Sequence, residues 1–208
     1  MTTRTITGLF DSYDDAKQAV HEIEAMGVPL RDISIVANNA DKRYELAGEA
    51  GHSKLAKGAE AGATFGTVVG GGTGLLAGLG MLAIPGVGPV IAAGWLASTV
   101  AGAVAGAAAG GAAGGIVGSL TTGGVSNEHA HIYAEGVRRG GTLVTTRVDE
   151  DRAEAAAAIM TRFHSVDPDT RGSVYRTGGW RAFDEKASPY SPSELERERD
   201  RYLSRTAL

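Results

Sequence analysis

The stretch that decides how this chain is read runs from Ala61 to Leu120: AGATFGTVVGGGTGLLAGLGMLAIPGVGPVIAAGWLASTVAGAVAGAAAGGAAGGIVGSL. From Ala61 to Asn127 there is no Asp, Glu, Lys, Arg or His, and about two-thirds of the 31 glycines fall there. Glycine recurs at Gly62, Gly66, Gly70, Gly74 and Gly78. After Ile84-Pro85-Gly86-Val87-Gly88-Pro89 the register restarts at Gly94, Ser98, Gly102, Gly106, Gly110, Gly114 and Gly118. Residues four apart share one helix face. A face stripped of side chains lets two backbones approach closely, which is the small-xxx-small packing code. The spacing therefore predicts two glycine-zipper helices, about 62–83 and 90–118, joined by a turn at Pro85, Gly86, Gly88 and Pro89.

The lengths favour a membrane hairpin. The two helices would reach about 33 and 43 Å against a hydrocarbon core of about 30 Å. Lys42, Arg43, Lys54 and Lys57 precede the block and Arg138 and Arg139 follow it. The positive-inside rule then puts both termini in the cytoplasm, with the hairpin in a bacterial inner membrane. The first helix has only seven strongly apolar residues, worth about −2 to −4 kcal/mol of insertion energy. Two other readings stay open for the same block: a zipper core inside a soluble cytoplasmic assembly, and a flexible Gly/Ala region.

Outward from the block the chain reads as α+β. Thr5–Phe10 has strand character, and Ser12 with Asp15 resembles a capping box for a helix carrying Ala16, Val20, Ile23 and Met26 at helical spacing. Gly27 suits the left-handed position after it. Asp32–Ala37 reads as a second strand. Residues 41–60 are a mixed-charge linker that becomes a short helix. Ser126 can cap a helix over about 127–138, Thr142–Val148 is rich in β-branched residues, and Asp149 opens an Ala-rich helix to about Phe163. Val166 marks a short last strand. Residues 1–40 and 125–170 thus predict one discontinuous, ferredoxin-like-type β-α-β plus α-β-α domain, interrupted by the hairpin. Residues 171–208 form a charged tail with a helix near 193–205. Its alternating acids and arginines, Glu194 to Arg201, read as a solvated face. Trp180, Arg181 and Phe183 stand out there as a docking motif for a protein partner, or as residues packed on the domain.

Composition excludes several chemistries. The 208 residues contain no Cys, so disulfides, thiolate metal sites and thiol nucleophiles are out. A net charge of −4 argues against nucleic acid as a partner. Gly72-Thr73-Gly74-Leu75-Leu76-Ala77 matches a loose dinucleotide pattern, but no acid follows at the required distance. Glu128, His129 and His131 cluster after the block, yet positions two apart on a helix face different ways. No catalytic, cofactor-binding or metal-binding residues are expected.

Together these segments resemble a family. The order of strand Thr5–Phe10, helix Tyr13–Met26, strand Asp32–Ala37 and a glycine-zipper hairpin containing Ile84-Pro85-Gly86-Val87-Gly88-Pro89 is similar to bacterial general stress proteins of the heat-induced YflT, or 17M-like, type. So is the return through Ala134-Glu135-Gly136-Val137-Arg138-Arg139-Gly140-Gly141 into Leu143–Val148. The resemblance spans about residues 1–170, with a tail like those of some members. It implies a stress-induced, membrane-associated protein with a small α+β domain, and brings no catalytic residues. The expectation is a non-enzymatic stress protein, anchored in membrane lipid and self-associating through its zippers. The alternatives are a soluble zipper assembly and a ligand-sensing α+β module.

Overall fold

The structure, a computed structural model, describes residues 2–43, 80–108 and 115–206. Among these residues five strands form one sheet: β1 (Thr3–Phe10), β2 (Ile33–Asn38), β3 (Gly80–Ile84), β4 (Gly88–Gly94) and β5 (Thr142–Asp149). Their order is β1-β5-β2-β4-β3, with all neighbours antiparallel. Among the described residues seven α-helices accompany them: α1 (Tyr13–Ala25), α2 (Trp95–Ala108), α3 (Ile116–Thr122), α4 (Asn127–Arg138), α5 (Ala153–Arg162), α6 (Pro168–Thr177) and α7 (Pro192–Thr206). β1-α1-β2 is a split β-α-β unit, with β5 between its two parallel strands.

The local signals outside the glycine block act as their chemistry dictates. Ser12 Oγ accepts from the Asp15 N–H at 3.3 Å and starts α1. Gly27 follows α1 at φ +83°. Ser126 Oγ accepts from the His129 N–H at 3.2 Å and starts α4. Val166 forms one antiparallel bridge to Leu9. Asp149 ends β5, but its side chain makes no cap; a 3-10 turn, Glu150–Arg152, leads into α5 instead.

Side-chain alternation divides the core in two. On one face, Ile33 and Ile35 of β2 join Phe10, Val144 and Val148 under α1 and α5, which contribute Val20, Ile23, Ala156 and Met160. On the other, Val36 joins Leu9, Val90, Ala92 and Leu143 under α2, α3 and α4, through Leu96, Val100, Ile116, Leu120 and Val137. Every residue of β2 is buried because both faces are covered.

The glycine block departs from its expected form. Where helices over 62–83 and 90–118 were expected to flank the turn, residues 80–84 and 88–94 are strands. The turn itself is a reversal, but of a β-hairpin. The Val87 N–H donates to the Ile84 carbonyl at 3.0 Å, and Gly86 sits at φ +74° behind Pro85. That is the type II signature of Pro then Gly at the two central positions. β4 then pairs with β2, Ser34 opposite Gly94 through Asn38 opposite Val90. Helix begins only at Trp95. The physical reason lies in Gly94, whose φ is +88° and where a Cβ would collide with the Ile33 carbonyl oxygen. This glycine serves a strand crossing its neighbour closely, not a helix seam. Gly115 is a non-helical cap before α3, so no single helix runs from 90 to 118. No helix among the described residues is long and apolar enough to cross a membrane.

The tail packs on the domain. Ile132 of α4, Tyr175 of α6 and Tyr202 of α7 form a third buried cluster. Asp167 Oδ1 accepts from the Thr170 N–H at 2.8 Å, with Pro168 at the first helical position, so α6 has a complete start signal.

Candidate functional site

The zipper positions separate on the structure. Gly62, Gly66, Gly70, Gly74, Gly78, Gly110 and Gly114 lie outside the described residues. Gly94 ends β4, and Gly118 lies on α3. Ser98, Gly102 and Gly106 lie along α2. Ser98, Thr99 and Gly102 are exposed, and a Cβ on Gly102 would meet nothing within 4 Å. Both hydroxyls turn back onto the Trp95 carbonyl, Ser98 Oγ at 2.9 Å and Thr99 Oγ1 at 2.8 Å. This leaves an open, nearly featureless helix face.

The densest chemistry lies elsewhere, at the carboxyl ends of β1 and β2, beneath α7. Glu135 of α4 is fully buried and takes Arg139 Nε at 2.6 Å and Arg138 Nη1 at 3.4 Å. Arg139 Nη1 also reaches Glu198 Oε2 of α7 at 3.0 Å. Arg171 of α6 grips Asp11 with two bonds, 2.9 and 2.6 Å, and stacks 4.0 Å over the Tyr202 ring. Arg199 of α7, only 4% exposed, donates to the Gly140 carbonyl at 3.0 Å, to the Asn38 carbonyl at 3.2 Å and to the Asp41 carboxylate. Gly140, at φ +97°, leaves room for that guanidinium. Asn38 completes the seam by donating its side-chain amide to the Val137 carbonyl at 3.1 Å.

The charges answer one another. Burial opposes ionisation of Arg139, yet the attraction and hydrogen bond of Glu135 hold its pKa above the ordinary arginine value. Arg171 is likewise raised: burial opposes its charge, and the bond to Asp11 outweighs it. Burial pushes the phenols of Tyr175 and Tyr202 upward. Tyr133 rises to about 12, first through burial and then through Asp167 and Asp169.

The tail residues singled out in the sequence resolve as follows. Phe183 is buried in the core beside the β3–β4 turn, its N–H donating to His131 Nδ1 at 3.2 Å. Trp180 sets its ring edge against Tyr175, with centroids 5.5 Å apart, and Arg181 is exposed. His129 faces Asp169 at 3.0 Å. No group of three metal-type ligands occurs among the described residues. The expected solvated face of α7 is corrected at Glu198 and Arg199, which are buried with Leu195 and Tyr202. The signal was the i, i+3, i+4, i+7 spacing of Leu195, Glu198, Arg199 and Tyr202. Two charged members hid it from a reading that counts apolar residues.

A second concave region lies at the opposite end of the sheet. It is a cavity of about 260 Å³ whose wall includes Arg31, Asp32, Arg147, Asp149 and Arg152.

Residues 5–80 match the family model described as Heat induced stress protein YflT domain. The match takes in β1, α1 and β2 and ends where β3 begins. No curated protein and no solved structure matches the chain.

Proposed function

Taking the YflT stress-protein domain as the premise, we propose that this protein is a non-enzymatic, stress-associated protein that self-assembles in the cytoplasm through its small-residue helix faces. The observation that carries the proposal is the exposed Ser98–Gly102 face of α2, where among the described residues nothing lies within 4 Å of a Cβ built on Gly102. A helix face of small residues offers a neighbouring backbone a close seam, whether the surroundings are lipid or protein.

The sheet topology favours assembly over a membrane hairpin. β2, β4 and β3 are successive neighbours in one sheet, so Asn38, Gly80 and Gly94 all belong to it. Residues 61–79 are uncharged and as a helix would reach about 28 Å, enough for one crossing. One crossing would put β2 and β3 on opposite sides of the bilayer. The uncharged residues after Gly94 meet the same constraint, because Ile116 and Leu120 of α3 return to the core. The non-enzymatic part is supported by the ion cluster under α7, whose carboxylates and guanidiniums are committed to one another.

Light scattering after size-exclusion chromatography, without detergent, tests this with Gly102→Leu. The variant should assemble to a smaller size while its thermal melt is unchanged, because a side chain there meets no neighbour within the protomer. An unchanged assembly size, or recovery of the wild-type chain in carbonate-washed membranes and solubility only in detergent, would refute the proposal.

A further inference from the structure

The cavity at the far end of the sheet has an uneven charge balance. Asp32 pairs with Arg147 at 3.2 Å and with Arg31 at 3.6 Å, so one carboxylate serves two guanidiniums. Arg147 is held from behind by the Trp95 ring, 4.8 Å from its centre. Two charges on the same wall have no ion-pair partner among the described residues. Arg152 makes a single long contact, 3.5 Å to the Met26 carbonyl. Asp149, at the cap position of the 3-10 turn, makes no capping bond. Val28, Pro29 and Val148 supply an apolar wall between them.

We propose that this cavity binds a small zwitterion of the α-amino-acid type, its carboxylate on Arg152 and its ammonium on Asp149. The guanidinium fork matches a carboxylate with two parallel hydrogen bonds. The unpaired carboxylate three residues away disfavours a bare anion and favours a ligand that carries its own cation. A volume of about 260 Å³ has room for a single small metabolite, and the apolar wall suits an aliphatic side chain. Such a mixture of an apolar wall with a few convergent polar groups is what ligand sites share. It also gives the domain a readout, since Arg147 couples the cavity wall to Trp95 on the other face of the sheet.

The chain has two tryptophans, so the test contains its own control. L-valine is titrated into the full-length protein while the two indole N–H resonances are followed by NMR, with calorimetry in parallel. The Trp95 signal should move saturably and that of Trp180, in the tail cluster, should stay. Arg152→Gln should weaken valine binding about tenfold or more. Asp149→Asn should weaken valine to a similar degree while leaving acetate binding unchanged or tighter. Both residues are exposed, so neither variant threatens the fold. The proposal fails if no saturable Trp95 shift appears below about 10 mM valine. It also fails if acetate binds the wild-type protein as tightly as valine does.

Discussion

Arg199→Ala tests the tail clasp most directly. The guanidinium is 4% exposed and its partner Asp41 is 13% exposed in its side chain, so the pair is buried. Removing one member of a buried ion pair costs about 3–5 kcal/mol when the other charge is left without compensation; Arg43, 3.3 Å from Asp41 and half-exposed, keeps part of that charge paired. The Gly140 and Asn38 carbonyls also lose donors, at about 1–3 kcal/mol each in a dry site. Truncation opens a channel for water, so these terms do not add in full. The expected total is about 3–5 kcal/mol, a large share of the ~5–15 kcal/mol that holds a typical domain. At about 2–4 °C per kcal/mol for a chain of this size, the melting temperature should fall by about 10 °C. The loss need not be global, since α7 can lift alone. Denaturant unfolding should therefore be paired with hydrogen exchange across residues 192–206, which should lose protection first. The double variant Asp41→Asn with Arg199→Met should lose less than the sum of the two single changes, by about 1 kcal/mol or more. A cost below about 1 kcal/mol for Arg199→Ala, as exposed pairs give, would refute the clasp.

Three further outcomes follow from the geometry. Tyr133, raised to about 12, keeps its proton in the folded state while an unfolded tyrosine ionises near 10. The unfolded state then binds fewer protons, so stability should fall between about pH 10 and 12 by up to about 2–3 kcal/mol from this group, and Tyr133→Phe should flatten that slope in pH-dependent denaturation. Gly94→Ala should cost about 1–3 kcal/mol in a thermal melt, because φ +88° strains any side chain and the Ile33 carbonyl blocks it; a helical zipper position would accept alanine at little cost. Gly86→Ala should also destabilise, since φ +74° is unfavourable and its Cβ would lie 2.6 Å from the Asp184 carbonyl oxygen.

Much of the three-layered domain was legible because its signals are local. Ser12, Gly27 and Ser126 act through hydrogen bonds and φ angles within a few residues, and the elements they bound formed as read. The glycine block misled for a physical reason. Short apolar runs such as Met81–Ile84 and Val90–Ala93 carry neither a helical nor an alternating period, and pairing with β2 decides them. Gly94 joined the period-four count by coincidence, being required by a close backbone crossing. α6 was missed although Asp167-Pro168 is a sound start signal, because the turns after it carry few apolar residues. The clasp under α7 was illegible in principle: Arg199 and Asp41 are far apart in the chain, and only the fold brings them together.

The position of β5 governs how this chain can be made. Among the described strands β1 pairs with β5, apart from the single Leu9–Val166 bridge, and β2 is complete on that side only when β5 arrives. β5 begins at Thr142, roughly 100 residues after β2 ends. At about 5–20 residues per second, a ribosome holds β1 and β2 unjoined for about 5–20 s. During that interval β2 can already pair with β4, and β4 with β3, while β1 and the other edge of β2 wait for β5. The strand order thus leaves the β1 edge unpaired for longest during translation.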